Sequence, residues 1–213
     1  DVSRAAASSA AAFRDDPIEH YLRDTPDADQ SRISWRWRSA LLIRMQLTAY
    51  ALKQQALTVN HGDASLAFLQ PCDMVSRLVS LVKPIIRWLF IRVNTLCDSP
   101  EQRRRRAEYL NKLERAEKGL FGERADRMYL LRNLSTSPAA QGRGYASILV
   151  RAVTEKARHK ASYYSTWLSS SNVGNTSFYE RCGFVTVGEF TLGDGNPTWT
   201  EPPLVVLIVS FLV

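Results

Sequence analysis

The stretch from Ser135 to Ala146, STSPAAQGRGYA, holds the residue types that bind phosphate. It follows an apolar run, Met128-Tyr129-Leu130-Leu131, that reads as a strand. It precedes Tyr145, Ile148, Leu149, Ala152 and Val153, spaced as one face of a helix. A strand, a short loop with two glycines and a helix can turn successive main-chain N–H groups towards one point. Unpaired amides and the positive end of the helix dipole then make an anion site. Gly142 and Gly144 carry no Cβ, so a phosphate can approach the backbone, and Arg143 adds a positive charge.

A second block lies downstream: Asn172-Val173-Gly174-Asn175-Thr176-Ser177-Phe178-Tyr179-Glu180-Arg181-Cys182-Gly183-Phe184. Gln141-Gly142-Arg143-Gly144-Tyr145-Ala146 resembles the Gln/Arg-x-x-Gly-x-Gly/Ala signature of the GNAT superfamily, the acetyl-CoA-dependent N-acetyltransferases. The second block resembles that family's Asn…Tyr-Glu-x-x-Gly-Phe segment, in the expected order and with a helix and a strand between. The resemblance is firm over about Met128 to Phe190. It implies an α/β fold: a mixed central sheet with helices on both faces, and a slot where the family's strands 4 and 5 splay apart.

The chemistry follows from the resemblance. Acyl transfer from a thioester to an amine needs a held thioester, a neutral amine, a stabilised oxyanion and a protonated leaving thiolate. Gln141, Gly142, Arg143, Gly144, Tyr145, Ala146 and Ser147 would grip the pyrophosphate of acetyl-CoA. Leu134, Ser135 and Thr136 would pair with the pantetheine arm as an extra strand would. The N–H near Leu134 would face the thioester oxygen, and an oxyanion donor is worth roughly 3–4 kcal/mol of barrier. Tyr179 aligns with the family's general acid, although a core aromatic is the plainer reading. Asn172 and Asn175 both sit where the family has its cofactor-contacting asparagine, and Ser177 is within reach of a phosphate or the pantetheine. The general base is not fixed. The strand Tyr129–Leu134 has no carboxylate where many relatives place a glutamate. Glu19, His20 and Tyr21, or water, are the candidates.

Length and composition bound these expectations. The chain has 213 residues, 45% hydrophobic, which suits one domain over 1–213 with a helical insertion at 74–118. The net charge of +7 favours anionic partners. Cys72, Cys97 and Cys182 form no CxxC pair, which points to a reducing, cytoplasmic compartment and no structural metal. No secretory signal is visible, though the chain starts at Asp1 rather than Met. Leu204–Val213 is too short to span a bilayer as a helix.

The remaining elements are read in order. Residues 1–13 are helix-prone. Asp16 can cap a second helix that has Pro17 in its first position. Ala12-Phe13 followed by Asp16-Pro17 resembles the helix 1–helix 2 junction of fungal GNAT proteins, with the family's first strand truncated or absent. Ile33–Lys53 is a longer helix with Trp37, Leu41, Met45 and Leu52 on its apolar side. Ala56–Asn60 and Ala64–Leu69 form a hairpin whose turn holds His61. Met74–Val93 is a basic apolar helix that either packs over the substrate side of the sheet, the preferred reading, or lies on a membrane. Ser99 caps a charged helix through Lys118, with Glu101–Arg105, Glu108–Lys112 and Glu114–Lys118 as i,i+4 pairs. Arg103–Arg106 reads as a solvated helix face rather than a nucleic-acid site. Ser162–Ser169, Phe184–Phe190 and Leu204–Val213 read as strands, the last buried on both faces.

The expectation is an enzyme that acetylates a small-molecule primary amine in a ternary complex, as a monomer or homodimer and without nucleic acid. A non-catalytic CoA- or acyl-CoA-binding protein on the same fold is the first rival. A basic membrane- or nucleic-acid-binding protein is the second.

Overall fold

A computed structural model describes residues 1–28, 35–71, 88, 92, 94–160 and 165–211. The basic stretch Met74–Val93 lies almost entirely outside them, as do Cys72 and the start of the expected strand at Ser162.

Helices α1 (Val2–Ala12), α2 (Pro17–Arg23) and α3 (Trp35–Leu52) come first, then strands β1 (Ala56–Val59) and β2 (Ala64–Leu69). Helix α4 (Pro100–Phe121) precedes β3 (Tyr129–Thr136), α5 (Tyr145–Lys160), β4 (Thr166–Ser170), α6 (Thr176–Arg181), β5 (Val185–Leu192) and β6 (Leu204–Phe211). The six strands form one sheet in the order β1-β2-β3-β4-β6-β5. Every neighbouring pair is antiparallel except β3 and β4. With the family's first strand absent from the described residues, β3 and β4 stand in the places of its fourth and fifth.

Side-chain alternation sorts the two faces. Leu66, Phe68, Leu131, Leu168, Leu207 and Val209 pack with Leu149, Val150 and Val153 of α5. On the opposite face Trp167 and Ile208 meet Leu113 and Phe121 of α4, while Ala67 meets α1 and α3. β6 is therefore covered on both sides, as its unbroken apolar run predicts: Val206 through Ser210 are all buried. The long helix α4 supplies the helical insertion between the hairpin and β3.

Two expectations change. On α3 the packed side is Ile43, Leu47 and Tyr50, against Val2, Ala5, Ala6 and Ala67. Trp37 and Leu52 are 58% and 80% exposed. The stripe was misread because apolar and polar residues are spread all around α3, so its period does not single out one face. Arg103–Arg106 is not a uniformly solvated face. Arg103 and Arg104 are exposed, but Arg105 is fully buried. Arg106 pairs with the buried Asp98 at 2.8 Å. The expected i,i+4 pairs do form, Glu101–Arg105 at 3.2 Å, Glu108–Lys112 at 2.9 Å and Glu114–Lys118 at 2.6 Å. Ser99 and Gln102 cap the helix reciprocally, each side chain bonded to the other's N–H at 3.1 Å.

Candidate active site

β3 and β4 pair only through Tyr129–Thr166 and Leu130–Trp167. β4 then stays on β6 as far as Ser170–Leu207, while β3 stays on β2 as far as Thr136–Ala64. The two strands thus part after Leu130, and one main-chain edge of Leu131–Thr136 is left without a strand partner among the described residues. The register explains the divergence. Between Arg132 and Ser135, β3 carries one more residue than β2 opposite it, a bulge with Asn133 at φ 51°. A bulge bends its strand. Asn133 is secured there by a 2.9 Å bond from its side-chain amide to Gln46 of α3. Behind the bulge the hydroxyl of Ser135 meets those of Ser9 and Ser65, at 2.7 and 3.2 Å, all three buried. Ser135 therefore offers the slot its main chain and not its hydroxyl.

The glycine loop opens at the end of this strand. Ser137 N–H is held by Asp63 C=O at 2.7 Å, and Pro138–Ala140 makes a single tight turn. Gln141 to Gly144 are exposed. Gly142 and Gly144 take φ of 78° and 76°, and a Cβ added at either would meet nothing within 4 Å. So the glycines are needed for backbone conformation, and the space in front of them is open. At this end of α5 Ile148 N–H bonds to Gly144 C=O at 3.1 Å. Among the described residues no main-chain carbonyl holds the amides from Gly142 to Ser147. Tyr145, Ala146 and Ser147 form the first turn of α5, where such amides are free by geometry. Donors at a helix N-terminus beside an open cradle fit a diphosphate, and the adjoining slot is where its thiol-bearing arm would lie.

Tyr179 lies on α6 and is buried in the same core cluster as Leu149, Val150, Leu168 and Phe184. Burial pushes its phenol up to about 12, with the charges of Cys182 and Asp16 adding to the shift and a hydrogen bond with Ser170 opposing it. The hydroxyl is protonated at any physiological pH. Phe178 packs edge-on against it at 5.0 Å. Asn172 caps the turn before α6, its Oδ1 accepting from Gly174 N–H at 2.9 Å. Asn175 is the N-cap of α6 but makes no side-chain cap bond there, and it is exposed like Ser177. The sequence-derived residues thus fall into three groups: Leu134–Thr136 at the end of β3, Gln141–Ser147 on the loop and first turn of α5, and Asn172–Tyr179 around the start of α6.

Sequence reasoning missed a cleft on the α2 side. A cleft of about 590 Å³ opens between the start of α2 and the segment leading into β6. Asp15, Pro17, His20 and Arg23 line one side, and Trp199, Glu201, Pro202 and Pro203 the other, with Ser171 and Asn172 at its floor. Beside this cleft Asp16 ties α2 to the loop after β4. Its carboxylate caps α2 through Ile18 N–H at 2.9 Å, and its other oxygen accepts from Ser171 Oγ at 2.6 Å, across 155 residues of chain. Capping was legible in the sequence. The Ser171 bond was not, because it depends on the polar loop after β4 folding back onto α2. Of the three base candidates, Glu19 takes a 3.5 Å bond from Ser39. Tyr21 is buried and donates to Glu108 at 2.7 Å. His20 alone lines the cleft.

His20 bridges the cleft mouth, with Nε2 2.9 Å from Glu201 and Nδ1 2.5 Å from Asp24. The Glu201 bond is the largest cause of a pKa raised above 6.5, with burial opposing it and Asp24 helping. A raised histidine pKa means that the bridge is fully present below 6.5 and is lost as pH rises through the folded-state value. A histidine NMR titration should therefore place the His20 midpoint above 6.5 and show it falling in Glu201→Gln. An unshifted midpoint in that variant would mean the bridge does not form in solution.

Comparison with known proteins agrees with this geometry. Residues 110–184 match the model of the Acetyltransferase (GNAT) family. No curated protein sequence matches the chain. Among solved structures, a Drosophila melanogaster polyamine N-acetyltransferase that forms N-acetylagmatine is similar, with a TM-score of 0.58, 11% identity and coverage of 94% of this chain and 89% of that one. A mosquito arylalkylamine N-acetyltransferase-like 5b has a TM-score of 0.55, 12% identity and the same coverage of both chains. Arylalkylamine N-acetyltransferase 2 of Aedes aegypti has a TM-score of 0.55 and 14% identity, covering 97% of this chain and 94% of that one. At such identities the structural likeness speaks for the fold, and the family match falls on the segment that carries β3, the glycine loop, α5 and α6. The segment 110–184 is thus similar to the Acetyltransferase (GNAT) family, and the chain as a whole has the fold of these N-acetyltransferase structures.

Proposed function

We propose that this protein transfers the acetyl group of acetyl-CoA to the primary amine of a small molecule, in a ternary complex, within one domain spanning 1–213. The observation that carries this reading is the parting of β3 and β4 beside an open, amide-lined glycine loop. The shared sheet that all six strands enter supports the single domain. The three cysteines without a disulfide-type spacing support a cytoplasmic setting, and no helix among the described residues is long and apolar enough to cross a membrane.

When bound, acetyl-CoA supplies the activated acyl group. The amides of Gly142–Ser147 hold its diphosphate, and the free edge of Leu134–Thr136 aligns its arm. The Leu134 N–H stabilises the developing oxyanion, and Tyr179 gives a proton to the departing sulfur. The amine enters by the cleft on the α2 side. There Asp15 and Glu201 attract an ammonium, while Trp199, Pro202 and Pro203 accommodate an apolar body. Arylalkylamines and agmatine, named for the structural neighbours, are accordingly the first amines to assay. Asp16 takes up the amine proton through the Ser171 hydroxyl, which links the cleft to the carboxylate. The test is release of free CoA thiol from acetyl-CoA with an amine panel. CoA binding without thiol release for any amine would favour the non-catalytic rival.

Asp16→Asn isolates the proton step, because asparagine caps a helix as well as aspartate does. At neutral pH, kcat/KM for the amine should fall about 100-fold. The deficit should shrink as pH approaches the amine's own pKa, where the neutral form no longer needs a base. An unchanged rate would remove Asp16 from the reaction.

A further inference from the structure

We propose that Arg105 is a positioning residue for the acceptor: a buried cation on α4 that fastens both walls of the cleft and so sets how tightly an amine is held. The proposal rests on reading that cleft as the acceptor site.

Its guanidinium is fully enclosed, yet it touches none of the slot or loop residues. Nη1 donates to Tyr21 C=O at 2.8 Å and to Asp24 C=O at 3.2 Å, both at the end of α2. Nη2 donates to Thr198 C=O and Thr198 Oγ1, each at 3.0 Å, in the segment between β5 and β6. Nε meets Glu101 at 3.2 Å. The plane lies against two rings, Tyr21 at 4.9 Å and Trp199 at 5.3 Å. α2 and the 198–205 segment are the two sides of the cleft, and these bonds tie each of them to α4.

Neighbouring groups complete the fastening. Glu101 accepts from Asn196 Nδ2 at 2.7 Å and from Thr198 Oγ1 at 2.5 Å. Trp199, which lines the cleft, stands edge-on to Tyr21 at 5.0 Å and to His20 at 5.6 Å. A planar fork reaching two carbonyl groups on one segment and one on another is work that lysine's single ammonium does not reproduce. The insertion helix thus has a role at the acceptor side: it carries the pin that holds the cleft's walls together.

The experiment uses the full chain with acetyl-CoA and 2-phenylethylamine or agmatine as probe amine, in wild type, Arg105→Met, Arg105→Lys and Thr198→Val. Because a small misplacement of substrate strongly weakens productive binding, Arg105→Met should raise the amine KM about tenfold, with the acetyl-CoA KM within about twofold. The stabilisation by CoA should be unchanged in all variants, and Arg105→Lys should not restore the amine KM. Thr198→Val removes the hydroxyl at constant volume and should shift the amine KM in the same direction, which keeps the test alive if Arg105→Met does not fold. Hydrogen exchange should speed up together in 17–24 and 196–205, with 141–148 unaffected. An unchanged amine KM in folded variants, or kcat and both KM values moving together, would overturn the proposal. If wild type acetylates no amine, the proposed function fails instead. The exchange result then decides by itself whether Arg105 fastens the two segments: faster exchange in both supports it, and none overturns it.

Discussion

Gly144→Glu is expected to abolish the thermal stabilisation that CoA should confer on this protein. At a hundredfold excess over its dissociation constant, a ligand that binds only the folded state adds about 2.7 kcal/mol. For a chain of this length that corresponds to a rise of roughly 5–10 °C in Tm. The glutamate acts in three ways. Gly144 sits at φ 76°, so any side chain there is strained by about 1–2 kcal/mol and the unliganded Tm drops somewhat. The new side chain meets no protein atom near its Cβ, so it projects into the space in front of the loop. There it brings negative charge to amides arranged for phosphate. Gly144→Ala carries the same backbone strain without the charge and should keep much of the CoA shift. Gly119, a helical glycine with open space around its Cβ, provides a control at Gly119→Glu, which should leave the shift intact. A full CoA response in Gly144→Glu would mean that the loop is not where the diphosphate binds.

The parts legible in the sequence were those defined by local spacing. The strand, two glycines and helix around Gln141-Gly142-Arg143-Gly144 were legible as an open loop before a helix, because the residues that make it are consecutive. Asp16-Pro17 and Ser99-Pro100 announced helix starts for the same reason. The apolar run of β6 announced a strand covered on both faces. What stayed hidden depends on partners far apart in the chain. The bulge at Asn133, which parts β3 from β4, is a register mismatch with β2 and leaves no mark on composition. The Asp16–Ser171 bond and the cleft between α2 and Trp199–Pro203 need three separate segments to converge. Arg105 looked like one member of an arginine run, and only the approach of Tyr21, Asp24 and Thr198 sets it apart from the exposed Arg103 and Arg104. On α3 the sequence misled because apolar and polar residues mixed around the whole helix give no period from which to choose a face.

Tyr179→Phe separates a chemical role from a packing one at a buried residue of the proposed site. Its ring fills the core between α5 and β4, and phenylalanine preserves that. Only the hydroxyl and its bond with Ser170 are lost, a change of about 1 kcal/mol in stability, or roughly 2–4 °C in Tm. If the hydroxyl protonates the departing thiolate, kcat should fall about 100-fold or more. The acetyl-CoA KM and the CoA-induced shift in Tm should stay near the wild-type values, because the proposed holders of the diphosphate are Gly142–Ser147. The pH profile provides an independent check. With its pKa near 12 the phenol does not ionise in the range where the enzyme can be assayed. The wild-type rate should therefore show no alkaline fall that disappears in the phenylalanine variant. The deficit should instead be constant across pH, unlike the deficit of Asp16→Asn, which closes as the amine loses its proton. A phenylalanine variant that turns over at the wild-type rate would leave Tyr179 as a core aromatic and pass the thiolate's proton to solvent.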